Sequence, residues 1–488
     1  MGVSLNPSTI LSGQGIDVSS VVTQIISSQS GQLTVWQGQE TTLATQQGLL
    51  EGEENNLTNL QTAVVALADP NGALTAQAAT SSDTGVLSAT AQNTAIAGTH
   101  QIVVSSLATT GTLYTDPIAA GADTSFLASG QTTGDVQLQV GGSSGTTYDI
   151  PITQGSNDTL NTLATYINTQ STSNNWGVTA SVVSDASGSR LSLQSQNSGS
   201  TGALAIVNNS NTTLTFDAPE GGTNAALTID GVPFSSSSNT VTGAIQGVTL
   251  NLAGLSSGTP PSEVVQLTIA PDQNQITSAI NNFVSAYNTV VSTANAQYVV
   301  DPTGATPAPP LESDISLRSL ESSVLNDAAY AIGGNDGIVN LASLGINMND
   351  DGTLTVGSNA SGQTLADVLT ANPAAVQNFF QNASGTGFAN NFNTDLSNLT
   401  NPTSGPLNVD AAQDQAEGTD LATSITNFEA QLTSEQTALT SQYDSVNASL
   451  QAYPLLLQEI TETLGTLGSG TSSNGSLISS EPTLTSGL

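Results

Sequence analysis

Reactive side chains are scarce in this 488-residue chain. His100 is the one histidine, and there is no cysteine. A Ser-His-Asp arrangement would have to use His100 as its base. That residue stands in the alternating stretch Thr99-His100-Gln101-Ile102-Val103-Val104 and reads as a strand-surface or half-buried side chain rather than a catalyst. Glu51, Glu53 and Glu54 are too close in sequence to meet across a cleft, and read as the solvated face of a helix. Asn347-Met348-Asn349-Asp350-Asp351-Gly352 resembles the opening of a calcium loop, with oxygen ligands at alternate positions and Gly at the sixth. Its twelfth position is Ser358, where such loops need a bidentate Glu, so a hairpin turn is the expectation. Gly13-Gln14-Gly15 has neither a preceding strand nor a third glycine, and is no dinucleotide loop. Without cysteine there are no disulfides and no thiolate metal sites. No catalytic residue, cofactor or metal site is expected, and the chain reads as a non-enzyme.

Charge narrows the classes further. There are 38 acidic residues against 2 basic ones, Arg190 and Arg318, with no lysine. Phosphate recognition needs cations, so nucleic acid and anionic membrane surfaces are excluded as partners. Charged residues make up only 8% of the chain, against roughly 25% in average globular proteins. Bases have been removed rather than acids added. This suggests the hypothesis of an acidic exterior: near pH ~3 most carboxylates are protonated, and such a chain carries little net charge. Precipitation or unfolding at that pH would refute it; the competing reading is composition drift in an exported protein.

The elements that must position everything else are two apolar stripes at opposite ends. Over residues 421–464, Leu421, Ile425, Phe428, Leu432, Leu439, Tyr443, Val446, Leu450, Tyr453, Leu457, Ile460 and Leu464 recur at three and four, with a stutter between Leu439 and Tyr443. This predicts one long coiled-coil-like helix. Near the other end, Val18, Val22, Ile25, Leu33, Trp36, Leu43, Leu50, Leu57, Leu60, Val64 and Leu67 form a matching stripe, interrupted by Gln29, Glu40 and Gln47. Asp17 is its expected N-cap, and Asp69-Pro70-Asn71-Gly72 its stop.

Between the stripes the pattern changes to period two. Strands are expected at 88–91 and 99–104, joined by a turn at Ala97-Gly98. A mixed unit follows over about 135–199, with a helix capped by Asn157 or Asp158. Alternation at 227–231, 248–252 and 264–269 completes the sheet begun near Ala78, with the middle unit inserted. Helices resume at Gln275 along Ile276, Ile280, Phe283, Val284, Tyr287 and Val291. The fold class expected is α+β and multidomain. The domains read as a flexible tail at 1–16, an N-terminal coiled-coil helix at 17–72, and a discontinuous β-rich head at 78–115 and 223–272. An inserted β-rich head with one helix follows at 116–222, then a helical leg at 273–410, a C-terminal coiled-coil helix at 411–467 and a flexible tail at 468–488. Met1 to Ile10 show no basic and apolar leader pattern, so export by another route is expected. No apolar run is long enough to span a bilayer.

Several motifs, in order, resemble the bacterial flagellar cap family, hook-associated protein 2. They are Gly15-Ile16-Asp17-Val18, the run from Gly98 to Ala108, and the flagellin-like passage Thr159-Leu160 to Ile167-Asn168 with Gly177-Val178 and Arg190-Leu191. Ile229-Asp230-Gly231, Asn239-Thr240-Val241, Ile245-Gln246-Gly247-Val248-Thr249-Leu250-Asn251-Leu252, Phe283-Val284-Ser285-Ala286-Tyr287-Asn288, Leu344-Gly345-Ile346 and Asp351-Gly352-Thr353-Leu354 complete the set. The resemblance implies a homo-oligomeric ring at the distal end of the filament that promotes flagellin insertion. It also implies secretion through the flagellar type III route, contacts with flagellin, hook-filament junction proteins and an export chaperone, and in some members cell adhesion. The seam residues expected to hold neighbouring copies are Leu421, Ile425, Phe428, Leu432, Leu439, Val446, Leu450 and Leu457. An extracellular adhesin, or a related filament-associated surface protein, is the alternative.

Overall fold

The structure, a computed structural model, describes residues 17–299, 301–382 and 384–468. In chain order the first elements are α1 (Val18–Gln29), α2 (Gly31–Ala68), β1 (Gln77–Ser81), β2 (Leu87–Ala91), β3 (Gly98–Ser106), β4 (Thr110–Tyr114), β5 (Thr133–Val140), β6 (Thr146–Thr153) and α3 (Leu160–Asn174). Then come β7 (Val178–Asp185), β8 (Gly188–Ser198), β9 (Leu204–Ser210), β10 (Ala225–Ile229), β11 (Val232–Ser236), β12 (Thr240–Ile245), β13 (Val248–Leu252) and β14 (Val265–Pro271). The last are α4 (Gln273–Ala296), α5 (Ile315–Ala328), β15 (Ile346–Met348), β16 (Leu354–Val356), α6 (Leu365–Ala371), α7 (Pro373–Phe380), α8 (Phe388–Leu399) and α9 (Pro406–Gly468). The chain divides into two compact units. One holds the described residues up to Thr58, Thr289–Ser323 and those from Leu396 onward; the other holds Asn59–Asn288 and Val324–Asp395. The expected leg at 273–410 is thus shared between the two. The tails expected at 1–16 and 468–488 lie outside the described residues, Gly468 excepted.

In the first unit, Asp17 caps α1 as expected, its Oδ1 accepting from the Ser20 amide at 3.1 Å. The single helix expected from Asp17 is two, parted at Ser30, whose amide still donates to Ile26 O. The residues of the N-terminal stripe are all buried or half-buried on α1 and α2. At the other end α9 runs unbroken from Pro406 through Pro454, an interior position where proline removes a backbone donor.

The second unit contains two β-rich cores and a helical part. In the first core, an antiparallel sheet of order β1-β14-β3-β10-β11 shares its apolar interior with a second sheet, β12-β13-β2. Ile102, Val104, Leu227, Leu250 and Leu267 are fully enclosed there. The two strands expected on either side of Ala97-Gly98 form but do not pair with each other: β2 pairs with β13, and β3 with β14 and β10. The alternation located the strands, but pairing is a long-range choice that alternation does not encode.

The second core lies between sheets β4-β8-β7 and β6-β5-β9, with α3 packed on it through Leu160, Leu163 and Ile167. Pro151 sits on β6, an edge strand, where its missing N–H breaks no ladder. The cap of α3 is Thr159, which forms a reciprocal capping box with Thr162; neither Asn157 nor Asp158 does this. Those two side chains are buried instead and brace the preceding loop: Asn157 bonds to Thr153 N and Pro151 O, Asp158 to Gly155 N. The boundary expected at 115/116 moves, because β4 pairs with β8 and Leu113 belongs to this second core.

In the helical part, Ile276, Ile280, Phe283, Val284 and Tyr287 of α4 are all buried. Phe283 meets Phe388 and Phe392 edge-on, at 5.5 and 6.0 Å. Residues 346–356 form the expected hairpin β15–β16. Its Asp351 carboxylate accepts from the Thr353 amide and hydroxyl, within the turn itself. Among the described residues no three acids or histidines are grouped as a metal site, and no helix is long and apolar enough to cross a membrane.

Candidate assembly surface

The side chains singled out for assembly lie along α9 in the first unit. Antiparallel pairing with α1 and α2 sets their surroundings. Trp36 meets Phe428 with ring centroids 5.5 Å apart, and Gln29 Nε2 donates to Glu435 Oε1 at 2.9 Å. Ile425 and Leu432 are buried, and Leu421, Phe428, Leu439 and Leu450 half-buried. Val446 and Leu457 are not: they are 45% and 57% exposed. The stripe therefore changes character along its length. The register of the two paired contacts brings Val18, the first residue of α1, level with Val446, and no described residue continues α1 beyond that point. Past it, Tyr453, Leu457, Ile460 and Leu464 present one bare apolar face.

Glu53, expected on a solvated face, is 1% exposed. It falls between Leu50 and Leu57 on the buried stripe of α2, and burial pushes its carboxyl up to about 7, with the Asn56 hydrogen bond pulling the other way. The spacing of three and four from its apolar neighbours carried that signal. In the second unit, Asp327 on α5 bonds to Asp395 on α8. Burial, and then this like-charged neighbour, push Asp327 up to about 8.

His100 is on β3, as expected, and pairs with Asp230 at 2.8 Å. The Gln101 amide, and then His100, hold the Asp230 carboxyl below its usual range. The pair borders an apolar notch between Ile96, Phe234 and Ile245, and among the described residues no serine lines it. Glycine conformation shapes the adjoining turn, where Asp230 and Gly231 both have positive φ, at 52° and 81°.

Family models match at both ends. Residues 14–111 match the flagellar hook-associated protein 2 N-terminus and residues 222–453 its C-terminus. Residues 135–197 match the flagellin hook IN motif, which falls in the second β core. The chain is similar to the B-type flagellar hook-associated protein 2 of Pseudomonas aeruginosa, at 29% identity over 458 residues, 88% of this chain and 92% of that protein. It is also similar to the flagellar hook-associated protein 2 of Escherichia coli K12, at 26% over 296 residues, 58% of this chain and 60% of that protein. The solved D1-D2-D3 domains of the flagellar cap protein from Escherichia coli share the fold, with a TM-score of 0.57 and 24% identity, covering 75% of this chain and 99% of that one. With matched segments at both ends, and a relative aligned along nearly its full length, this chain belongs to the flagellar hook-associated protein 2 family.

Proposed function

We propose that this chain is a structural cap of the bacterial flagellar filament. Copies assemble into a ring through the far end of α9, and incoming flagellin is inserted beneath it. The observation that carries the assembly is the bare stripe of Tyr453, Leu457, Ile460 and Leu464. A single helix turns such a face to water at a cost and buries it against a second helix with a gain. The nearer residues Leu421, Ile425, Phe428 and Leu432 serve packing within one copy, and Val446 and Leu457 serve contacts between copies. The two β-rich cores supply the plate, and the helical parts the leg. Export by the flagellar type III route, an extracellular position at the filament tip, and contacts with flagellin, hook-filament junction proteins and an export chaperone belong to the same reading. The cap is a scaffold, not a catalyst.

Light scattering of the full chain at neutral pH and near pH ~3 tests assembly, the acid arm protonating most carboxylates. A discrete ring-sized mass that Leu457→Glu with Ile460→Glu reduces to a monomer supports the reading. Restored filament growth in a cap-deficient strain, lost with the same pair of substitutions, completes it. A chain that restores growth equally with and without the two substitutions sinks the α9 seam.

A further inference from the structure

The junction of α2, α4 and α5 in the first unit encloses a carboxyl that lacks the donors an anion needs. Glu53 Oε2 accepts from Asn56 Nδ2 at 2.9 Å, and the same Asn56 amide reaches Thr293 Oγ1 on α4 at 3.3 Å. Glu53 Oε1 is buried with no hydrogen-bond partner, and so are Gln297 Oε1 and the Tyr298 hydroxyl. Glu53 is one turn before Asn56 on α2. Gln297 is one turn after Thr293 at the end of α4, and its neighbour Tyr298 feels the Glu53 charge. The two helices therefore bring Glu53 level with Gln297 and Tyr298. A carboxylate and an amide carbonyl are both acceptors, and neither satisfies the other.

No cation resolves this. Arg318 on α5 lies 5.0 Å from the centre of the Tyr298 ring and donates to Glu312 O. The other charges nearby are acids: Asp314 and Glu321 from the α5 side, and Glu51 and Glu54 on α2 itself. Glu54 accepts from Asn408 of α9 at 2.8 Å. Among the described residues the one close contact of a basic side chain with a carboxylate is His100–Asp230, in the other unit. A buried, unpaired carboxylate is costly, whereas a proton on Oε1 turns an orphaned acceptor into a donor for a facing oxygen.

We propose that Glu53 is held as a neutral carboxylic acid donating to an oxygen at the end of α4, so that this helix junction is a proton-dependent lock that tightens on acidification. The lock does not rest on the cap reading. Burial, which favours the neutral form, places the titration at about 7, above the ordinary glutamate value of 4.5. A carboxyl whose folded value is raised contributes stability that is complete below its unfolded value and is lost as pH climbs through its folded one. The contribution is therefore full below about 4.5 and gone above about 7. In the folded chain the proton is bound roughly 300-fold more tightly than in the unfolded chain.

The test uses the full chain carrying Asp327→Asn, which removes the other strongly raised acid. Thermal unfolding is followed between about pH 4.5 and pH 8.5, a window that brackets the titration. The unfolding temperature is expected to fall between about pH 4.5 and pH 7 and to level off above that, and Glu53→Gln to hold the acid value throughout, because glutamine is a permanently neutral donor of the same shape. Isotope-edited infrared spectra of the chain labelled at its glutamate carboxyls give a reading independent of that variant's folding. A protonated-carboxyl band should persist above about pH 6, well past ordinary glutamate titration. Absence of that band overturns the proposal, and would arise if Gln297 turned its amide to donate to a charged Glu53. A Glu53→Gln chain that keeps the parental pH step overturns it equally.

Discussion

The indole of Trp36 on α2 meets the phenyl ring of Phe428 on α9 edge to face, with centroids 5.5 Å apart and planes at 73°. One positive ring edge against one negative ring face is the favoured aromatic geometry. The contact joins opposite ends of the chain within the first unit. Because Gln29 meets Glu435 two turns further along, the pair fixes the antiparallel register. A double-mutant cycle with Trp36→Ala and Phe428→Ala should give a coupling of about 0.5–1.5 kcal/mol in chemical unfolding of the first unit. Additive losses would mean that the rings are neighbours without mutual preference.

Leu432 and Leu457 share a stripe but not an environment. Leu432→Ala should cost about 2–5 kcal/mol of folding stability, as a buried leucine does. Leu457→Ala should change folding by no more than about 0.5 kcal/mol, as an exposed site does, while weakening self-association. Denaturant unfolding and sedimentation of the two variants separate these effects. Equal losses of stability would place Leu457 inside the single-chain fold.

Asp327 is pushed up to about 8 by burial and by the facing Asp395. Its contribution to stability is complete below the ordinary aspartate range and lost as pH rises through about 8. Asp327→Asn should therefore raise the unfolding temperature at about pH 8.5 and leave it nearly unchanged at about pH 3. Thermal melts at both values check this; a gain of equal size at each would assign the effect to packing instead.

On the acid side the exposed carboxylates act in the opposite sense. Asp301 accepts from the Thr303 hydroxyl and amide and from Thr306, and is pushed down to about 2. Asp230, Asp351 and Asp367 are lowered by similar local donors. Their contributions hold above the ordinary aspartate range and fade as pH falls toward their lowered values. With Glu53 and Asp327 pulling the other way, stability of the whole chain should peak near about pH 4–5. A conventional maximum near neutrality in a pH series of melts would contradict this balance.

Gly199 ties the two β-rich cores together. Its amide donates to Thr109 O at 3.0 Å, and its neighbour Ser198 donates from Oγ to Ser237 O at 2.7 Å. Its φ is 73°, and an added Cβ would stand 2.4 Å from the Ser237 Cα. Gly199→Ala should cost about 1–3 kcal/mol from strain alone, with backbone displacement adding to it. Hydrogen exchange should accelerate at Thr109 and Gly199 before the strand interiors of either core. Unaltered exchange there would show that the junction yields without loss.

Local chemistry was legible in the sequence. Three-four spacing found α1, α2, α4 and α9, because a helix brings such residues to one face whatever it packs against. Alternation marks β2, β3, β10, β13 and β14, Asp17 has the side chain and place of a cap, and the missing Glu marks the Asp351-Gly352 stretch as a turn. Each of these depends on residues within a turn or two of one another. Tertiary structure decided the rest. β2 takes β13 rather than its neighbour β3, because a strand's alternation names its buried face and not its partner. Leu113 joins the second core although it stands beside first-core strands in sequence. The apolar stripe of α9 is enclosed at Ile425 and Leu432 and bare at Tyr453, Leu457, Ile460 and Leu464, a difference its spacing does not show. Glu53 looked like one of three solvated acids until α4 was set against its face. Whether a charge meets water is settled by what lies opposite it, and that distance is spanned only by folding.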